Sequence, residues 1–222
     1  MKRIGLVTIG QSPRDDILPV LKRYLPPRVE LVHAGLLDGV PESELDALAP
    51  GPGEYVLVTR LRDGTSVQLG RERILPRLKG ILADLGDRDV EIILLLCTGE
   101  FPSFTSQALV IEPDKLIFNA VKGIIGNRAL GVVIPLPEQV EETERKWADL
   151  DRKLHVVAAS PYEETGNLEK AAARLAGFKP GLVVLDCMGF GPSHKEVVRR
   201  RVGCPVLLSS SFVARTLAEL VS

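Results

Sequence analysis

A chain of 222 residues with 45% hydrophobic content can bury a sizeable core, as one large domain or two small ones. Its formal net charge of -1 argues against a polyanion as partner, and no run of about 18 apolar residues is present to cross a bilayer. Three cysteines in a chain this long make no disulfide framework, and "MKRIGLVTIG" lacks the apolar core and cleavage site of a secretory signal, so a cytoplasmic protein is expected.

The pattern predicts a buried strand over residues 4–9. A helix should follow, with Ser12 as its cap and Pro13 at its first position. A second strand is expected over 29–33 and a short helix from about Pro41. "EYVLVTRLRDGTSVQL" reads as a β-hairpin whose tight primed turn falls at Asp63 and Gly64. A helix over 71–85 leads to a strand over 91–96, and a helix over 113–125 closes this half. The second half alternates in the same way. Strands are expected over 130–134, 154–158, 182–185 and 206–208. Helices are expected over 138–151, 168–176, 193–201 and 211–220. Continuous apolar strands alternating with helices indicate parallel sheets covered on both faces.

The halves look like repeats. "RIGLVTIG" against "ALGVVIPL" sets Ile4 on Leu130, an offset of 126. "RVELVHA" against "KLHVVAA" sets Val29 on Leu154, an offset of 125, while Cys97 and Cys187 differ by 90. The first half therefore holds about 35 extra residues, filled by the hairpin and its approach over 36–70. The expected architecture is α/β, with two pseudo-symmetric parallel-sheet domains and a β-hairpin insertion in the first. Residues 1–126 and 209–222 form one domain, and 127–208 the other.

"LLLCTGEF" and "VLDCMGFG" each end a buried strand in a cysteine with a glycine two residues on. Ligands of open parallel sheets bind beyond the carboxyl ends of the strands. If the halves face each other, Cys97 and Cys187 flank one cleft with sulfurs roughly 7–10 Å apart, which makes them the candidate catalytic pair. Gly99 and Gly189 would let backbone N–H groups approach a substrate oxygen. Helix N-termini after the turns would favour a carboxylate. Thr98 and Met188 occupy the same turns. Gly10, Gln11, Ser12 and Arg14 follow the first strand and suit an anion, and Leu136 offers apolar lining at the matching place.

The competing reading is packed, inert thiols, and Cys204, without a counterpart, is assigned to it. Asp186 should face away from Cys187 and pack. His194 either serves as a base or faces solvent. His33 and His155 lie on matching strands but in no metal-ligand spacing. With no Walker loop or dinucleotide fingerprint either, no cofactor and no metal are expected. The few aromatic residues offer no stacking platform for a nucleobase, so no nucleic-acid partner is expected.

Through "LVTIGQSPR", "RLRDGTSVQL", "LDCMGF" and "CPVLLSSSFVARTLAEL", nearly the whole chain resembles the AroM family. More distantly it resembles the cofactor-independent aspartate, glutamate and hydantoin racemases. That likeness implies two α/β domains about a pseudo-twofold axis, with the last helix returning to the first domain. It implies one cysteine thiolate that removes a proton beside a carboxylate and a second thiol that donates from the opposite face. The partner it implies is a small carboxylate-bearing molecule or anion, and it allows a homodimer. The chain departs from the racemase pattern at Met188, where a threonine is usual, and at Phe190, near the place of a usual histidine. Thr8, Gly10 and Gln11 stand where an acidic residue is common. Two readings stay open: an enzyme (racemase, isomerase or decarboxylase), and a non-catalytic small-acid binding or regulatory protein on the same fold.

Overall fold

Strand β1 (Lys2–Thr8) is buried on both faces from Ile4 onward, as an inner strand of a covered parallel sheet must be. The computed structural model describes residues 2–222. The chain divides into two units: one runs through Asp114 and takes in Thr216–Ser222, and the other is Lys115–Arg215. No helix among the described residues is long and apolar enough to cross a membrane.

In the first unit, β1 lies between β2 (Val29–Gly35) and β5 (Ile92–Leu95), with β6 (Leu109–Ile111) beside β5, all parallel. Helices α1 (Leu18–Lys22), α2 (Glu42–Leu48) and α3 (Arg71–Gly86) belong here, and α4 (Pro113–Ile124) leads out of it. On α3 the buried residues Ile74, Leu78, Leu82 and Leu85 form one stripe at three- and four-residue spacing. That stripe joins Val7, Ile93 and Leu95 in the core. The antiparallel hairpin of β3 (Val56–Arg60) and β4 (Ser66–Gly70) adds Leu57 and Leu69 to the same core.

The second unit repeats this order. Strand β7 (Leu130–Ile134) lies between β8 (Leu154–Ala158) and β9 (Leu182–Leu185), with β10 (Val206–Leu208) beside β9. Helices α5 (Val140–Ala148), α6 (Thr165–Phe178) and α7 (Pro192–Val202) follow, and α8 (Ser209–Val221) ends the chain's regular structure. Ile4 pairs with Ile92, and Leu130 with Leu182, so the offsets of 126 and 90 hold in the register. The repeat reaches into the packing. Gly5 of β1 sits under Leu85 and Ile93, and Gly131 of β7 under Leu175 and Val183 at the same two offsets.

The register corrects one alignment. Ile4 pairs with Leu31 and Leu130 with Leu154, so Leu154 matches Leu31 rather than Val29. A slip of two residues leaves every side chain on its original face, so alternation alone cannot detect it. His33 and His155 are therefore not equivalent, and His155 instead stacks on Phe178 at 4.9 Å.

Three local expectations also change. Helix α1 begins at Leu18, with Ile17 as its cap. Ser12 does not cap it, because its N–H and hydroxyl both donate to the Asp38 carboxylate, at 2.9 and 2.5 Å. The hairpin turn is not a primed pair. Gly64 N–H returns to Leu61 O and Leu61 N–H to Thr65 O, and Gly64 but not Asp63 has positive φ. This is a three-residue loop closed by a glycine bulge. Strand β6 was not foreseen, since three residues after a long irregular segment show no periodicity. Helix α5 is preceded by a 3-10 turn at Pro137–Gln139, where one continuous helix was expected.

Candidate functional site

Each cysteine leaves its sheet in the same way. Leu96 N–H donates to Val7 O at 2.7 Å, and Asp186 N–H to Val133 O at 2.8 Å. The chain then turns, and the glycine two residues on donates its N–H to the cysteine sulfur. The distance is 3.4 Å from Gly99 to Cys97 and 3.4 Å from Gly189 to Cys187. The repeated glycine thus serves the thiol rather than an approaching substrate oxygen. The space over each glycine is taken by protein: an added Cβ would collide with Leu57 at Gly99 and with the Tyr162 ring at Gly189.

The surroundings differ between the units. Cys97 is half-buried, and Cys187 is buried among core residues of its unit. In the first unit, Glu100 N–H donates to the Tyr55 hydroxyl at 3.2 Å. Arg71 lies over the Tyr55 ring and donates to Glu100 O. No helix begins after Cys97; the next regular element is β6, so the expected helix N-terminus exists only after Cys187, where α7 starts at Pro192. There the buried Ser209 and Ser210 hydroxyls donate to Leu185 O and Phe190 O, each at 2.7 Å. These bonds clamp the start of α8 to the Cys187 turn, which accounts for two serines of the "SSS" run; Ser211 donates to Leu208 O. Met188 and Phe190 are buried beside the thiol.

Asp186 packs away from the turn, against Lys146 Nζ of α5 at 3.1 Å, with side-chain exposures of 5% and 7%. Lys146, Tyr55, Tyr162 and Arg71 were not singled out in the sequence, because none carries a local motif. Cys204 packs against the second core, and burial pushes its thiol pKa up. None of the three cysteines is in a disulfide. Among the described residues, no group of three or more His, Cys, Asp or Glu is arranged to hold a metal ion.

The loop after β1 is braced rather than open. Gly10 N–H donates to Thr8 Oγ1, Gln11 N–H to Arg60 O, and Gln11 Oε1 accepts from Arg62 N–H. Arg14 is buried against Asp16. Leu136, which matches Gly10, is half-buried and donates its N–H to Gln139 Oε1 at 3.2 Å. Gly10 is required by close packing, since a Cβ there would run into Arg60 O and Thr59 Oγ1. Gly10→Ala should therefore cost about 1–3 kcal/mol, seen as a lower urea midpoint at unchanged slope.

His194 neither faces solvent alone nor stands ready as a base. Its Nδ1 accepts Gly191 N–H at 2.9 Å, and its ring meets Phe190 edge-on. Burial lowers the pKa of His194 from 6.5, and burial, then Lys22, lowers that of His33. The unfolded chain then binds more protons, so the stability these groups confer is whole above about 6.5 and is lost as pH falls through the lowered values. The urea midpoint should drop between about pH 7.5 and about pH 5.5, and less so in His194→Gln, whose amide can keep the cap without titrating.

The model of the family described as AroM protein matches residues 4–221. The chain belongs to the AroM family. Its fold is that of the Asp/Glu racemase superfamily. The maleate isomerase Iso from Pseudomonas putida S16 matches with a TM-score of 0.62 and 14% identity, over 99% of this chain and 91% of that one. Glutamate racemase from Aquifex pyrophilus matches at 0.57 and 18%, over 99% and 84%. Arylmalonate decarboxylase matches at 0.59 and 16%, over 97% and 92%. At such identities the likeness establishes the fold alone. A search of curated protein sequences finds no match.

Proposed function

We propose that this AroM-family protein is a cofactor-independent enzyme that moves a proton at a carbon beside a carboxylate, with Cys97 and Cys187 as its acid and base. One observation carries the reading: the same thiol, at the same register in two sheets, receives the same N–H from a glycine two residues on. A packing cysteine has no need of that arrangement twice. An N–H aimed at sulfur favours the thiolate, the form that acts as base. Solved structures of the same fold include an isomerase, a racemase and a decarboxylase whose names each specify a carboxylic acid or its salt.

In the proposed step, one thiolate takes the α-proton and becomes a thiol. The electron pair stays at carbon, delocalised into the carboxylate, and the other thiol returns a proton. In a decarboxylation, carbon dioxide leaves instead and a thiol protonates the carbon. Thr98 and Leu136, both half-buried, are the proposed substrate-side positions, while Gly10, Gly99, Met188 and Gly189 shape the turns that carry them. A reducing cytoplasmic setting suits a protein whose cysteines must stay thiols.

Deuterium uptake tests this. Amino acids, hydroxy acids and substituted malonates incubated with the protein in heavy water should include one that gains deuterium at the α-carbon by mass spectrometry. Tight binding without exchange would instead support the small-acid binding reading. That alternative draws on the apolar shell of Cys187, where Met188 and Phe190 supply no polar aid to proton transfer.

A further inference from the structure

The first unit carries an insertion, β3 and β4, whose tip meets the loop after β1 around a cavity of about 230 Å³. Arg14, Arg60 and Arg62 line it, against the carboxylates of Asp15 and Asp16. Each arginine is anchored differently. Arg14, 5% exposed at its side chain, is gripped by both oxygens of Asp16 at 2.8 and 2.6 Å. Arg60 donates Nε and Nη2 to Gly64 O at 3.0 and 2.8 Å. Gly64 has a φ of +90°, and a Cβ there would stand 2.9 Å from the Arg60 guanidinium, so glycine both makes the turn and leaves room for Arg60. Arg62 donates Nε to Ser12 O at 2.5 Å, while its nearest carboxylate partner, Asp38, is 3.5 Å away.

A carbonyl holds a guanidinium still without cancelling its charge. Arg62, 64% exposed at its side chain, is held at Nε by Ser12 O and shares its charge with Asp38 only through a long Nη2 contact, which leaves positive charge at the cavity. Asp38 reinforces the frame, since its carboxylate also takes Ser12 N–H, Ser12 Oγ–H and Gly35 N–H. A preset planar fork of donors is the device that recognises a carboxylate or phosphate in two-point fashion.

We propose that this cavity binds the oxyanion of a small molecule, a carboxylate or a phosphate, with Arg60 and Arg62 as direct donors and Arg14 as the buried charge behind them. The site is built from the hairpin and the first loop, and it needs neither cysteine.

Inorganic phosphate and malonate, titrated separately into the full chain by calorimetry at low salt, test the assignment. At least one should bind, and which one does tells the two oxyanions apart. Arg60→Gln and Arg62→Gln should each weaken binding about tenfold or more. Arg62→Lys should recover only part, because lysine keeps the charge and loses the fork. Circular dichroism confirms that each variant is folded, and the Cys97→Ser/Cys187→Ser protein should bind as the parent does. Failure of both anions to bind at millimolar concentration overturns the site, as does binding untouched by both glutamine variants. Binding untouched by both glutamine variants but blocked by prior iodoacetamide labelling of the thiols would move the anion to the thiols, overturning this site while leaving the acid–base reading in place.

Discussion

Replacing Cys97 or Cys187 by serine is expected to slow net turnover by about 10²- to 10⁴-fold, the usual contribution of a positioned general acid or base. Serine nearly matches cysteine in size, so acid binding should change only slightly. Its hydroxyl is far less acidic than a thiol, so no base is available near neutral pH. The single variants should differ in kind. Each keeps one thiol, and that thiol can still exchange the enantiomer presented to it. Cys97→Ser and Cys187→Ser should therefore retain exchange on opposite enantiomers, and the double variant on neither. Chiral separation of the acid after incubation in heavy water, followed by mass spectrometry, reads this directly. Exchange undiminished in the double variant would assign the base elsewhere. Iodoacetamide gives an independent check: an acid that exchanges should protect at least one cysteine from labelling.

Much of the fold was visible in the sequence because the strands of a covered parallel sheet are almost uniformly apolar. The strands at Leu130–Ile134, Leu154–Ala158, Leu182–Leu185 and Val206–Leu208 stand where the pattern placed them. The failures have two physical causes, a partner distant in the chain and a local choice between turns that the same residues allow. Ser12 has the look of a helix cap, yet Asp38, 26 residues on, takes its donors. Asp63 and Gly64 suit a primed turn, yet only Gly64 adopts positive φ.

The thiols and glycines of the candidate site were legible as a repeated word, cysteine then glycine two on. What surrounds them was not. Leu57 reaches Gly99 from the hairpin, and Tyr162 reaches Gly189 from the segment after β8. The sequence showed Arg60 and Arg62 only as part of "RLRDGTSVQL". Their meeting with Arg14 depends on how the hairpin folds back over the first loop. Lys146 sits on a helix of ordinary charged residues, and nothing local marks it as buried.

Lys146→Met should destabilise the protein by about 3–5 kcal/mol, because it leaves the buried Asp186 carboxylate without the ammonium that faces it at 3.1 Å. A domain of ordinary stability holds only about 5–15 kcal/mol, so urea unfolding should show the midpoint falling steeply. The pair need not be a net gain for the fold, since both ions are taken almost wholly out of water. The repeat supplies the comparison. The position matching Asp186 in the first unit is Leu96, also buried at 4% exposure, which follows the end of β5 and makes the same backbone hydrogen bond. An apolar side chain is thus compatible with this strand end. The double variant Lys146→Met/Asp186→Leu should recover most of the stability lost by the single change, and replacing a buried ion pair in this way can even stabilise by about 1–4 kcal/mol. A double variant as unstable as Lys146→Met alone would show that the unpaired carboxylate is not the cause, and that the lysine stem's packing or the contact of its ammonium with the Trp147 ring at 5.3 Å carries the effect instead.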